Sequence, residues 1–226
     1  KGRSLKVVQL SDIHLNGIKP LWRTKRLVRQ VNQLNPDVIV ITGDLIDTKK
    51  QYIQAHIDAL KELKAAYKFA VSGNHDFYAT YSEYEETLCD MGFVNLDHNF
   101  LEINEDYLKE PVVFIGLPDE MHPQNSLEFL NKILSQNQRE KPVIVLRHQP
   151  EEFEESTYLG VNLQLSGHTH NGQLPPFNLL VKLRYKYAYG LHRYKNSYIY
   201  TSKGTSTWGP PMRLFSPSEL IYFELE

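Results

Sequence analysis

The chain has 226 residues, enough for one large domain with a substantial core, and 41% hydrophobic with 23% charged residues is the composition of a soluble globular fold. A formal net charge of −2 gives no reason to expect nucleic acid as a partner, and no run of about 18 apolar residues would span a bilayer. A single cysteine, Cys89, excludes an internal disulfide and a cysteine-rich zinc site, so any metal must be held by His, Asp, Glu or Asn.

The chain opens on "KGRSLKVVQ", with no Met and almost no lead-in before a strand. This is the look of a mature or trimmed form. A membrane-associated or exported bacterial enzyme is expected if an N-terminal anchor or signal was removed, and a cytoplasmic one otherwise.

In chain order, short Val-, Ile- and aromatic-rich runs bounded by turn residues predict buried strands in "LKVVQLSD", "DVIVITGD", "YKFAVSGN", "PVVFIGLPD", "PVIVLRHQ", "VNLQLSGH" and "SYIYTSKG". Helices are predicted over 22–35, with Trp22, Leu27, Val31 and Leu34 on the core face, and over 52–66, with Ile53, Ile57, Leu60 and Leu63. Two more are predicted over 82–92 and over 126–137, the latter with Leu127, Leu130 and Leu134 inward. This alternation argues for α/β, and with no repeat, linker or low-complexity tract the expectation is one domain over 1–226. The C-terminal third is richer in β and turn signals, and 174–195 reads as a hairpin.

Residues with metal-binding chemistry follow the predicted strands repeatedly: Asp12 and His14; Asp44 and Asp47; Asn74, His75 and Asp76; His148; then His168 and His170. Ligands of α/β sheets collect beyond the carboxyl ends of strands, where loops distant in sequence meet. Gly43, Gly73 and Gly167 stand just before a candidate ligand, where the backbone is expected to turn sharply. Oxygen and imidazole donors without thiolate favour Mn, Fe or Zn. Seven candidate ligands exceed the usual protein share of one ion, so two ions sharing a carboxylate fit better. Asp76 is expected to cap a turn. His56 is expected on a helix surface, and His98, His122 and His192 in loops, with His122 or His192 as further candidates to line the site.

The ordered motifs D-x-H, G-D-x-x-D, G-N-H-D, the His of "LRHQP" and G-H-x-H, spanning residues 12–170, resemble the calcineurin-like metallophosphoesterases. "LSGHTHNGQLPP" and "KGTSTWGPPMRL" are similar to membrane-associated or exported bacterial phosphoesterases of the YkuE/YaeI type. Asn171 and Arg147 depart from the pattern, standing where glycine and serine are usual. The resemblance implies a four-layer αββα sandwich, two central mixed sheets flanked by helices. It implies one divalent ion on Asp12, His14 and His170, a second on Asn74, His148 and His168, and Asp44 bridging them. Mn is the leading choice of metal, with Fe, Zn or Mg as alternatives. His75 would act as acid or phosphoryl-oxygen donor, oriented by Asp47, while a hydroxide bridging the two ions attacks phosphorus in a phosphodiester or pyrophosphate.

Beyond the motifs, 182–195 holds five Lys or Arg and no acid among four tyrosines, after the apolar cluster Phe177, Leu179, Leu180 and Val181. Two readings stand: a hairpin with a solvated basic side, or a lip that makes peripheral contact with a membrane or a lipid phosphate. Trp208 and the bend at Gly209 and the two following prolines have two readings: they close a sheet, or Lys203 and Arg213, with His192, approach substrate oxygens. The alternative substrate is a nucleotide-linked lipid such as UDP-2,3-diacylglucosamine. A phosphomonoesterase or a non-catalytic scaffold of the same fold are the competing classes.

Overall fold

The computed structural model describes residues 3–77, 81–119, 123–135 and 141–226. His122, and the last two residues of the helix expected over 126–137, lie outside them.

Two mixed sheets form the centre. In the first, β1 (Leu5–Leu10), β2 (Val38–Thr42), β3 (Tyr67–Val71) and β4 (Val94–Asn95) run parallel, and β11 (Ile221–Leu225) closes the far edge antiparallel to β1. The second has the order β5 (Asn99–Ile103), β6 (Val112–Leu117), β7 (Val143–Arg147), β8 (Leu163–Ser166), β10 (Ser197–Thr201), β9 (Gly190–Tyr194). β6, β7, β8 and β10 are parallel; the outer strands β5 and β9 are antiparallel to their neighbours.

Side chains alternate across each strand, so a continuous apolar run serves two cores. Val7, Val38, Val40 and Phe69 meet Phe114, Ile144, Leu146 and Leu165 between the sheets. The intervening Val8, Leu10, Ile39 and Ile41 turn outward to α1 (Leu21–Gln33), α2 (Gln54–Leu60) and α3 (Tyr81–Met91). On the other side Val113, Ile115, Val143 and Val145 meet Leu130, Ile133 and Leu134 of α4 (Pro123–Ser135), with Leu159 of α5 (Phe153–Leu159) packed alongside. The fold is therefore the expected four-layer αββα sandwich. Each such fully buried aliphatic side chain contributes about 1.5–3 kcal/mol. No helix among the described residues is long and apolar enough to cross a membrane.

Several expectations are corrected. Trp22 is 57% exposed, and the core face of α1 is Thr24, Val28 and Val31. At about 100° per residue Trp22 stands about 120° from Val28, off the face that meets α2 and the sheet. His56, expected on the surface, is buried between α1 and α2 with Nδ1 2.7 Å from Thr24 Oγ1. The second helix is shorter than expected at both ends: a separate 3-10 turn over Lys50–Tyr52 precedes it, and it stops at Leu60 with Lys61 as its C-cap. The segment 174–195 is not one hairpin: Phe177–Arg184 is helix α6, and the hairpin comes later, between β9 and β10. His192 accordingly lies on a strand, with Nε2 2.9 Å from Tyr189 O. β4, β5, β11 and α5 escaped the sequence pattern because they are short or half-exposed.

Candidate metal centre

Every candidate ligand lies just past the carboxyl end of a parallel strand. Asp12 and His14 follow β1, Asp44 follows β2 and Asn74 follows β3; His148 follows β7, and His168 and His170 follow β8. The first sheet supplies all the oxygen donors, and the second supplies only imidazoles. Packing the sheets brings the groups together. Asp12, His14 and His170 form one cluster of donor atoms within 4.8 Å of one another, and Asp44, His148 and His168 form another. Asp44 Oδ2 reaches towards both, 3.2 Å from His148 Nε2 and 3.6 Å from His14 Nε2.

Hydrogen bonds hold the loops within and between the sheets. Within the first sheet His14 N donates to Asp44 O (2.9 Å) and Gln9 Nε2 to Thr42 Oγ1 (2.9 Å); between the sheets Gln9 Nε2 donates to Ser166 O (2.9 Å) and His168 N to Asp12 Oδ1 (3.1 Å). Five of the seven candidate ligands, Asp12, His14, Asp44, His168 and His170, have positive φ, between 49° and 68°. L-residues adopt this region at a cost of about 1–3 kcal/mol each when the surroundings impose it, and such strain concentrates at functional sites. Asn171 has φ 48° and ψ 35°, which accounts for its standing where glycine is usual: asparagine tolerates the left-handed region. Of the three glycines expected to turn sharply, Gly43 does so. Gly73 and Gly167 are needed for space, since a Cβ would lie 2.3 Å from Asp44 Oδ1 at the first and 1.9 Å from Ser11 Oγ at the second.

The donor set fits divalent cations. Asn74 Oδ1 is buried without a hydrogen-bond partner, an arrangement that costs about 1–3 kcal/mol unless something fills it. His14 Nε2 lies 3.1 Å from His170 Nε2, and His148 Nε2 lies 3.2 Å from His168 Nδ1, so ring nitrogens converge beside the carboxylates of Asp12 and Asp44. Two rings are held in the tautomer a cation needs. His148 Nδ1–H donates to Thr42 O (2.8 Å), and His14 Nδ1–H to Asp47 Oδ1 (2.7 Å), so each Nε2 faces the cluster. Despite burial, Asp44 and Asp12 hold His148 well above the usual imidazole range, a positive charge that a dication would replace. His170 is the exception. Its Nε2 faces His14 Nε2 (3.1 Å) and Asp12 Oδ1 (3.3 Å), while its Nδ1 faces Arg213 Nη2 (2.9 Å) rather than a carbonyl or carboxylate that would fix the ring proton there; Arg213 Nη1 also reaches Ser216 O (3.1 Å).

Burial alone would raise the Asp44 carboxyl, but the neighbouring His148 and His14 hold it well below the usual range. Burial pushes His168 down to about 3 and His170 downward as well, favouring the neutral rings that bind cations. Asp47 accepts from His14 and also lies 3.0 Å from His75 Nδ1, and despite burial these two rings keep its carboxyl low. His75 is raised: its burial is outweighed by the hydrogen bond to Asp47 and by the charge of Asp44. Its backbone N–H donates to Asp44 Oδ1 (2.9 Å), fixing the ring beside the cluster. Asp76 binds the turns, accepting from the backbone of Leu45, Ile46 and Gly73.

A cavity of about 550 Å³ opens onto Asp44, Asn74, His75, His168 and His170. Its outer wall is Leu174, Phe177, Val181, Tyr185, Trp208 and Pro210, none of which had been assigned to the site. The tryptophan beside two prolines was the available signal. Lys203, Arg213 and His192 are not on its lining. Lys203 faces Glu219 (3.7 Å), Arg213 stands behind His170, and His192 sits on β9. Arg147, the second departure from the family pattern, is buried in an ion pair with Glu152.

The fold and the donor cluster together define a two-sheet α/β class with a candidate divalent-metal site where the sheets meet. Residues 5–172 match the family described as calcineurin-like phosphoesterase, and the chain belongs to that family. It is 33% identical over 228 residues to an uncharacterized metallophosphoesterase of Helicobacter pylori, covering 99% of this chain and 60% of that protein. It is 33% identical to a Danio rerio transmembrane protein with metallophosphoesterase domain (98% of this chain, 53% of that one) and 31% to the uncharacterized metallophosphoesterase YkuE of Bacillus subtilis (98% and 79%). The relatives thus include eukaryotic proteins, and the chain spans 60% or less of the first and second of these three. Among solved structures, a dimetal phosphatase from Danio rerio shares the fold, with a TM-score of 0.62 at 12% identity, covering 99% of this chain and 93% of that one.

Proposed function

We propose that the chain hydrolyses phosphodiester or pyrophosphate bonds at a binuclear metal centre. Asp12, His14 and His170 would hold one ion, Asn74, His148 and His168 the other, and Asp44 both. The observation that carries this reading is the buried, partnerless Oδ1 of Asn74 beside two ligand clusters that Asp44 joins. Bound divalent ions would supply Lewis-acid activation of the phosphoryl group and of water.

The chain's own groups do the rest. Asp12 and Asp44 bring two negative charges, too few to neutralise two dications, so the pocket favours an anionic phosphoryl group. Asp47 holds His75 by Nδ1, so Nε2, directed away from that carboxylate, would be the atom that donates a proton to the leaving oxygen or a phosphoryl oxygen. A diester or pyrophosphate leaving group needs such an acid. Metal-depleted protein reloaded with Mn should turn over bis-p-nitrophenyl phosphate faster than p-nitrophenyl phosphate. Preference for the monoester, or a metal-loaded protein inert to both, would refute the reading.

A second reading concerns the substrate's remainder. The apolar wall of Leu174, Phe177, Val181 and Trp208 favours a phosphoryl substrate with an apolar part, of which a nucleotide-linked lipid such as UDP-2,3-diacylglucosamine is one form. The description of a vertebrate relative as a transmembrane protein supports a location at a membrane.

A further inference from the structure

Helix α6 is unusual in burying none of its residues. At about 100° per residue, Leu179, Leu183 and Leu180 fall on one outward arc of about 100°, flanked by Lys182 on one side and Arg184 on the other. Leu183 is 84% exposed, while Phe177 and Val181, on a separate arc, line the cavity. A second apolar segment lies beside it. Trp208, Met212, Leu214 and Phe215 are all exposed, and Phe215 is held at φ 61°, a strained value for a bulky side chain. Gln173, just ahead of α6, ties the two segments: its Nε2 donates to Trp208 O (2.8 Å), its Oε1 accepts from Trp208 N (2.9 Å) and its carbonyl accepts from Leu214 N (2.9 Å). Both segments border one mouth, because Phe177, Val181, Trp208 and Pro210 all line the same cavity.

Charge indicates what covers this surface. From Asn171 to Ser218 there are seven Lys or Arg and no Asp or Glu, whereas the rest of the chain holds 18 basic residues and all 27 acids, one of which, Glu219, pairs with Lys203. Glu151 and Glu154 pair with Arg184 and Lys186, while Lys182 lies over the ring of Tyr189 at 5.4 Å. Apolar side chains ringed by basic and tyrosyl ones match an anionic lipid interface.

We propose that α6 and the 208–215 segment form a membrane-seating surface for an anionic bilayer, with Leu179, Leu180, Leu183 and Phe215 entering the headgroup boundary and the cavity mouth opening at the lipid plane. This rests on the membrane location proposed above but not on any step of hydrolysis. The test is flotation of the 226-residue chain with phosphatidylcholine vesicles, with and without phosphatidylglycerol. Binding should require phosphatidylglycerol, weaken with added salt, and fall about tenfold or more for each of Leu183→Asp and Phe215→Asp. Both positions are exposed, so circular dichroism and metal content should stay as in the parent chain. Absence of flotation, equal flotation of the double variant, or a parent dimer that the double variant dissolves would overturn the proposal. Turnover of bis-p-nitrophenyl phosphate in the same samples separates the two readings. A chain that hydrolyses without floating loses only the surface, and one that floats without hydrolysing loses only the phosphoesterase.

Discussion

The donor cluster and the apolar mouth adjoin, yet they are built on opposite terms. The cluster is buried and polar; its side chains sit on strained backbone held by main-chain hydrogen bonds within each sheet and by the Gln9 and Asp12 side chains between them. The mouth is exposed and apolar; α6 carries no buried residue, and the 208–215 segment is tied mainly through Gln173. Low-dielectric surroundings make every lost partner costly in the first region, whereas surface substitutions in the second change little within the protein itself. The first region suits the proposed chemistry, and the second the proposed seating on a bilayer.

Substitutions should separate the regions, and the largest effect is expected at the shared carboxylate. Asp44→Ala removes the oxygen facing both clusters, so metal content measured by mass spectrometry should fall below one ion per chain, with hydrolysis at background. Retention of two ions would show that Asp44 bridges nothing. His75→Ala should come next, with kcat down about 10²–10⁴-fold and metal content unchanged. Loss of metal at normal turnover per remaining site would contradict its role as acid. Asp47→Ala frees both His14 and His75, and a loss of about 10–100-fold in metal affinity or activity is expected. Gly167→Ala pushes a methyl into Ser11 and should cost about 1–3 kcal/mol, read as a lower Tm. Smallest in functional terms is Thr24→Val, which strands buried His56. It should destabilise by about 1–3 kcal/mol while leaving metal content, hydrolysis and vesicle binding intact. Any change in those three would mean that the α1–α2 contact communicates with the site.

Much of the cluster was legible because its chemistry is written at strand ends. Val7 against Val8, Val38 against Ile39 and Ile144 against Val145 supply apolar residues to both faces of a strand, and a His, Asp or Asn follows where each chain leaves its sheet. Asp12, Asp44 and His148 are readable as candidates without any knowledge of which sheet holds them. The mouth was poorly legible for the converse reason. Apolar spacing marks a helix when the apolar face is buried, and in "FNLLVKLR" three leucines face solvent, so the segment read as part of a hairpin. Trp22 and His56 exchanged their expected places because α1 turns Thr24, not Trp22, towards α2.

By itself the amino-acid order determined the two-sided strands, the helices between them, and the kinds of donor atom that each strand end would deliver, since these depend on local periodicity and side-chain chemistry. Only the packing of one sheet on the other decided which imidazole meets which carboxylate, that Arg213 stands behind His170, and that Trp208 walls the cavity. Those pairings join residues up to 156 positions apart, as His14 and His170 show, and no local pattern encodes such distances. They follow from the total burial that the closed sandwich achieves.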